Sequence, residues 1–300
     1  MPSAPRNFTA ENFLLNLDGV KCGFLKSVDG GGIAADVVQE QAGNTYFARK
    51  HIARVKYEEL SLQIDLSLDK PVYDWIAASW NGSYARKDVE IFAADYALQI
   101  KSQREFFNAL ISETTIPAMD ASSKDSCTMT LKLAPEYSRS KKASGKLTGN
   151  MSKGAQKRWL PSNFKLQIDG LNCSGVTKVD PFSVKQTIVA AAVGEMRDYQ
   201  KLPGRIEFPN LSITLAESHA QSWIDWHEDF VVKGNCGDSQ EKSGSLTFLA
   251  PNQKELAHIN FFNLGIFRLA PEKHQAQANQ LSRIVAELYC ERMEFVFPGS

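Results

Sequence analysis

A stretch of eighteen residues occurs twice in this chain, and the second occurrence lies one domain-length beyond the first. Residues 12–29 read NFLLNLDGVKCGFLKSVD, and residues 163–180 read NFKLQIDGLNCSGVTKVD. Eight positions are identical: Asn12/Asn163, Phe13/Phe164, Leu15/Leu166, Asp18/Asp169, Gly19/Gly170, Cys22/Cys173, Val28/Val179 and Asp29/Asp180. Average residue usage gives roughly one match by chance. The displacement of 151 positions persists, pairing Gly43 with Gly194, Leu60-Ser61-Leu62 with Leu211-Ser212-Ile213, and Asp74-Trp75 with Asp225-Trp226. Further along the register moves, so that Phe106-Phe107-Asn108 aligns with Phe261-Phe262-Asn263 at 155 and Cys127 with Cys290 at 163. A period near 150 is too long for a solenoid unit of about 20–50 residues and is the length of a whole domain. The chain reads as one domain used twice, at residues 1–135 and 163–300, joined by residues 136–162.

The 300 residues accommodate two such copies, each large enough to bury a core. Apolar residues make up 43% and charged residues 23%, with a formal net charge of zero. Whole-chain electrostatics therefore give no reason to expect tight binding to nucleic acid or an anionic membrane. A charge near zero permits self-association. The opening MPSAPRNFTAENF has no apolar run of the kind a secretory leader needs. No stretch is apolar enough for a membrane-spanning helix. Five cysteines, Cys22, Cys127, Cys173, Cys236 and Cys290, include no C-x-x-C pair. They read as reduced structural thiols in apolar strand contexts, and synthesis in a reducing cytoplasm is expected.

Each copy has the punctuation of a β-domain. Phe13-Leu14-Leu15-Asn16-Leu17 and Phe164-Lys165-Leu166-Gln167-Ile168 alternate and end at Asp-Gly, the signature of a type I′ hairpin. Gly30-Gly31-Gly32, replaced by Pro181 in the second copy, lacks the Lys-Ser/Thr of a phosphate loop and reads as a bend between strands. Residues 60–66 and 211–215 alternate again. A short helix follows in each copy. Asp69 and Pro71 start the first, with Val72, Trp75 and Ile76 on its apolar face. Ser218 and Gln221 suggest a capping box for the second, with Trp223, Trp226 and Phe230 on one side. Asn81-Gly82 and Gly234-Asn235 end them, and strands at 89–92 and 246–249, a hairpin carrying Phe-Phe-Asn, and last strands at 127–133 and 290–297 complete the copies. The expected fold is mainly β: two tandem homologous β-barrel or sandwich domains, each with one short helix.

The joining segment carries Arg139, Lys141, Lys142, Lys146, Lys153, Lys157 and Arg158 against Glu136 alone, a net +6. Its Gly, Ser and Lys content reads as a basic flexible linker. An acidic protein surface or nucleic acid are the alternative uses of such a run.

No catalytic constellation emerges. There is no His-Glu-x-x-His, Gly-x-Ser-x-Gly, Walker loop or dinucleotide fingerprint. The histidines His51, His219, His227, His258 and His274 are scattered, and none recurs at the matching position of the other copy. Neither a metal set nor a cofactor site is expected, and the chain does not read as an enzyme. What does recur is a pair of polar loops, 40–54 and 195–203, interrupting strands at the same place in both copies. Too polar for a core, they are candidate assembly surfaces, with Gln41, Asn44, Tyr46 and Arg49 in the first and Glu195, Arg197, Tyr199 and Lys201 in the second.

The order of these features resembles a known family. An apolar strand closes on Asp-Gly, a polar loop leads to Lys201-Leu202-Pro203-Gly204, and a Leu-x-Leu strand, a Trp-bearing helix, the strand Arg86-Lys87-Asp88-Val89-Glu90-Ile91 and the Phe-Phe-Asn hairpin follow. This is similar to the tail tube proteins of contractile-tailed bacteriophages and the inner-tube proteins of related contractile injection systems. The resemblance covers about residues 12–133 and 163–297. It implies small barrels that join their sheets into six-fold rings around a lumen for DNA or cargo, with stacked rings forming a tube. It also implies sheath, baseplate and tape-measure or cargo proteins as partners, no membrane, and a place in a virion tail or injection particle. Family members of the tube carry one such domain per chain, whereas trimeric hub proteins at a tube end carry two. With two domains per chain, three chains complete six places. The alternatives are a trimeric baseplate hub or tube-initiator ring and a two-domain host- or carbohydrate-binding tail accessory.

Overall fold

The alternation of apolar and polar residues is realised as strands whose inward faces meet in one core. The structure is a computed structural model and describes residues 11–41, 43, 46–147, 159–191, 198–272 and 282–298. The first copy runs β1 (Asn12–Leu17), β2 (Val20–Leu25), β3 (Ser27–Gly30), β4 (Ile33–Glu40), β5 (Arg49–Tyr57), β6 (Leu60–Ile64), α1 (Lys70–Trp80), β7 (Lys87–Ala94), β8 (Ile100–Ile116), β9 (Met119–Asp120), β10 (Met129–Ala134) and β11 (Tyr137–Lys141). The second runs β12 (Phe164–Ile168), β13 (Val176–Val179), β14 (Phe182–Ala191), β15 (Gln200–Glu207), β16 (Leu211–Ala216), α2 (Gln221–His227), β17 (Lys242–Leu249), β18 (Glu255–Pro271) and β19 (Arg283–Val296).

The first sheet has the order β2-β1-β7-β8-β10-β6-β3 and the second β12-β17-β18-β19-β16-β13-β9, both antiparallel and curled into a nearly closed barrel. Removing β2 from the first and β9 from the second leaves the same topology. Strand registers agree residue by residue. Phe13 lies opposite Ala93 as Phe164 lies opposite Phe248. Leu62 pairs with Val28 and Leu131 as Ile213 pairs with Val179 and Ala286. Trp75 and Trp226 are both buried on their helices, as the spacing predicts.

The Phe-Phe-Asn element has a backbone reason. The β7–β8 and β17–β18 registers each slip beside it. Asn108 and Asn263 occupy the bulge at φ 50° and 56°, the left-handed region that Asn tolerates better than other residues with a Cβ. Asn108 Nδ2 donates to Glu136 at 2.8 Å and Asn263 Nδ2 donates to Glu241 at 2.7 Å.

Several expectations are corrected. Only the first Asp-Gly makes a hairpin, with Asp18 at φ 48° and Gly19 at 82°. In the second copy Gly170 alone of the pair has positive φ, and no counterpart of β2 forms. Both central residues must be left-handed for the turn to match strand twist. Ser218 does not cap α2: it lies in a short 3₁₀ turn and its hydroxyl pairs with His219, while Ala220 precedes the helix. Cys127 and Cys290 are not equivalent. Leu133 and Leu288 face the equivalent Leu60 and Leu211, so the last strands keep the displacement of 155 and Cys290 sits eight places further along than Cys127 would. The polar loops are shorter than 40–54 and 195–203, because β5 starts at Arg49 and β15 at Gln200. The 136–162 segment opens as β11, which continues β10 along β8 as the far half of β19 does along β18. It closes on Trp159, buried edge-to-face against Phe248 at 5.0 Å. Lys153, Lys157 and Arg158 lie outside the described residues.

One apolar cluster runs through both copies, from Leu15, Phe106 and Leu131 to Leu166, Phe261 and Phe295. Helix α1 bridges them: Tyr73 stacks on Phe297 at 4.1 Å and Trp80 meets Phe295 at 5.8 Å.

Candidate functional site

The joint between the copies is a strand addition. On one long side β8 is covered by β11 over residues 103–107 and by β10 over residues 110–115. On the other, β7 covers it up to Ala109, and β14 of the second copy covers its end, with Phe182, Ser183, Val184 and Lys185 opposite Ile116, Thr115, Thr114 and Glu113. The β14–β15 hairpin thereby extends the first copy's sheet, and in return β9 extends the second copy's sheet along β13.

Period-2 geometry sends alternate residues of β14 to opposite faces. Phe182, Val184 and Gln186 are buried. Phe182 meets the Phe261 ring at 6.4 Å, and Val184 and Gln186 lie with Trp80 of α1 around one small cavity. The other face is polar. Thr115 Oγ1 and Ser183 Oγ are 2.7 Å apart. Lys132, Glu113, Lys185 and Glu207 stand opposite one another across four strands, a row of alternating charge. Lys132 Nζ donates to Glu113 at 2.6 Å. Burial works against charge on Glu113, but hydrogen bonds from Lys132 and Ser183 and the field of Lys185 outweigh it and hold the carboxyl below its usual value.

Residues at the mouth of β14–β15 tie down against the first copy. Tyr57 Oη donates to Asp198 at 3.2 Å, and the Arg54 guanidinium lies 4.5 Å from the Tyr199 ring centre. The Lys201 amide donates to Glu136 at 3.0 Å, and Arg86 donates to the Lys201 carbonyl at 2.9 Å. Burial lowers the Lys201 ammonium pKa despite the attraction of Glu59 and Glu136. Tyr199 and Lys201 thus meet the first copy. Gln41, Tyr46 and Arg49 sit on the β4–β5 hairpin and are exposed. Asn44, Glu195 and Arg197 lie outside the described residues. Sequence reading missed Glu113, Lys132, Lys185, Glu207 and Trp80. Aligning the copies strand by strand singles out Glu113, Lys132 and Glu207, because charge inverts at their matching positions Arg268, Glu287 and Lys56.

Among the described residues no three His, Cys, Asp or Glu side chains cluster as metal ligands. No helix among the described residues is long and apolar enough to cross a membrane. A cleft along β12, lined by Phe164, Leu166, Leu171 and Cys173, marks the edge that β2 covers in the first copy.

A family model described as T4-like virus tail tube protein gp19 matches residues 9–139 and again residues 160–294. Curated protein sequences give no match. Among solved structures, a chain of the sheath–tube complex of the extracellular contractile injection system PVC in its extended state is 18% identical, with 46% of this chain and 93% of that chain covered and a TM-score of 0.41. A chain of the tube-terminating cap of the anti-feeding prophage is 18% identical over 47% and 95%, with a TM-score of 0.42. A chain of the PVC sheath/tube terminator is 18% identical over 46% and 99%, with a TM-score of 0.41.

Proposed function

The chain belongs to the T4-like virus tail tube protein gp19 family and carries that family's domain twice, and from that premise we propose that three copies close a ring of six places in the tube of a contractile tail or injection particle, or at its end. The observation that carries this reading is the strand addition of β14 to β8. It joins neighbouring family domains sheet to sheet inside one chain, and a head-to-tail repeat of that joint is the kind of contact that closes a ring. The units expected at 1–135 and 163–300 take adjacent places, and β11 completes the first. Covering strand edges in this way removes the aggregation liability that open sheets carry.

The ring's lining is assigned by chemistry. Helix α1 and the buried residues of β14 occupy one face of the joined sheet, and Lys132, Glu113, Lys185 and Glu207 the other. The polar, balanced face lines the passage for DNA or cargo, and the helix-bearing face turns towards sheath and baseplate proteins. The protein acts as scaffold without a reaction of its own.

Cryo-EM of assembled particles with native mass spectrometry of isolated rings tests this. Three chains per ring layer, exactly three-fold and nearly six-fold, are expected. Six chains per layer, or a chain that stays single at every concentration, overturns the reading.

A further inference from the structure

Among the described residues the joint inside the chain has one missing counterpart, and both of its halves are present without a strand partner. Beyond Leu264 the β17 side of β18 carries no strand among the described residues, where the same stretch of β8 carries β14. Among the described strands the β4–β5 hairpin, the counterpart of β14–β15, pairs only with itself. The outer edge of β3 is likewise bare among the described residues, where β13 carries β9. Resting on the three-chain ring, we propose that β4 of one chain adds to the free edge of β18 in a second copy, with Ile33 opposite Leu269 and Ala34 opposite Arg268. We further propose that an inverted charge order keeps this joint from being exchanged with the one inside the chain.

Exposure supports the pairing. Val184 and Trp80 are each 3% exposed in the finished joint. The residue matching Val184 is Ile33, 58% exposed, and the helix end matching Trp80 carries Val231 and Val232, 43% and 71% exposed. Ser112 at the edge of β8 is matched by Phe267, 40% exposed. Apolar surface buried on one side of the molecule is bare at the equivalent places on the other, on donor and acceptor alike. That is the surface a second copy of this chain removes from water.

Charge supports the selectivity. The finished joint reads Lys132, Glu113, Lys185, Glu207 across its four strands. The matching row is Glu287, Arg268, Ala34, Lys56, and Arg268 pairs with Glu287 as Glu113 pairs with Lys132. Placing β14 on β18 sets Lys185 against Arg268, a like-charge pair directly across strands. Placing β4 there sets the small Ala34 against Arg268 and brings Asp36, on the same face two residues on, within diagonal reach. Asp36 also pairs with Lys56 at 2.7 Å inside its own hairpin. The β18 edge rejects β14 by like charge, and β8 already holds its own hairpin, so first and second copies alternate and the ring has an even number of places.

The test is cross-linking in assembled full-length protein. Ala34→Cys with Arg268→Cys is prepared in a Cys236→Ser background, because Cys236 is the exposed native thiol. Mild oxidation is expected to give covalent dimers and trimers on a non-reducing gel, and each single-cysteine variant none. A separate Arg268→Glu variant, with unchanged circular dichroism, is expected to weaken ring formation by about tenfold or more. Rings of three chains that never cross-link, or that tolerate Arg268→Glu, overturn the proposed joint and leave the three-chain reading standing. Cross-linked rings of six chains do the reverse. Chains that never associate overturn both.

Discussion

Burial sets the behaviour of the thiols. Desolvation pushes Cys22 and Cys290 to about 11 and Cys127 to about 12, and raises Cys173 as well. A thiol at about 11 is roughly 0.1% thiolate at pH 8, and the thiolate is the reactive form. Iodoacetamide on the native protein at pH 8 should therefore modify Cys236, which is exposed, and leave the other four until denaturant is added. Rapid native labelling of Cys22 or Cys127 on mass spectrometry would contradict the packing. The bulge asparagines make a second test. Asn263 holds φ 56° and donates to Glu241. Asn263→Ala should cost about 1–2 kcal/mol in urea unfolding, through left-handed strain and the lost hydrogen bond. Asn263→Gly should cost less, because glycine adopts that conformation freely. If glycine were no better than alanine, backbone conformation would not be the reason for asparagine there.

Among the elements, α1 and the β14–β15 hairpin do the joining. Trp80 is buried between Phe295 of β19 and the cavity shared with Val184 and Gln186. Trp80→Ala should destabilise the chain by about 3–5 kcal/mol. It should also speed amide exchange in β14 and β15 more than in β6 or β10. Uniform acceleration would mean that the helix supports the core alone and not the joint. The three glycines at 30–32 do bend the chain between β3 and β4, with Gly30 and Gly31 at φ 75° and 70°. Gly31 is also held by packing, since a Cβ there would lie 2.7 Å from the Phe106 ring. Its counterpart Phe182 fills the matching place beside Phe261. The repeat aligned the two positions, but the reason one holds glycine and the other phenylalanine is a packing fact between strands distant in sequence.

For the whole molecule, the shared apolar cluster predicts cooperativity. Because one apolar core runs through both copies and each copy's sheet takes in strands of the other, thermal unfolding of the single chain should show one calorimetric transition. Two well-separated transitions would mean that the copies fold as independent domains tied by the 136–162 segment. Much of the plan was legible beforehand. Strand periodicity, the Asp18-Gly19 turn, the two helices and the tandem repeat follow from local chemistry, because side-chain alternation and left-handed preferences act over a few residues. The docking of β14 on β8 was not legible. Lys185 and Glu113 are far apart in sequence, and each taken alone is an ordinary polar strand residue. Only when the fold sets them opposite one another, with Lys132 and Glu207 alongside, does a recognition surface exist. The sequence by itself determined that one domain is written twice and is mainly β. The tertiary structure decided which copy's edge is closed and which is open, because edge pairing depends on strands brought together from opposite ends of the chain.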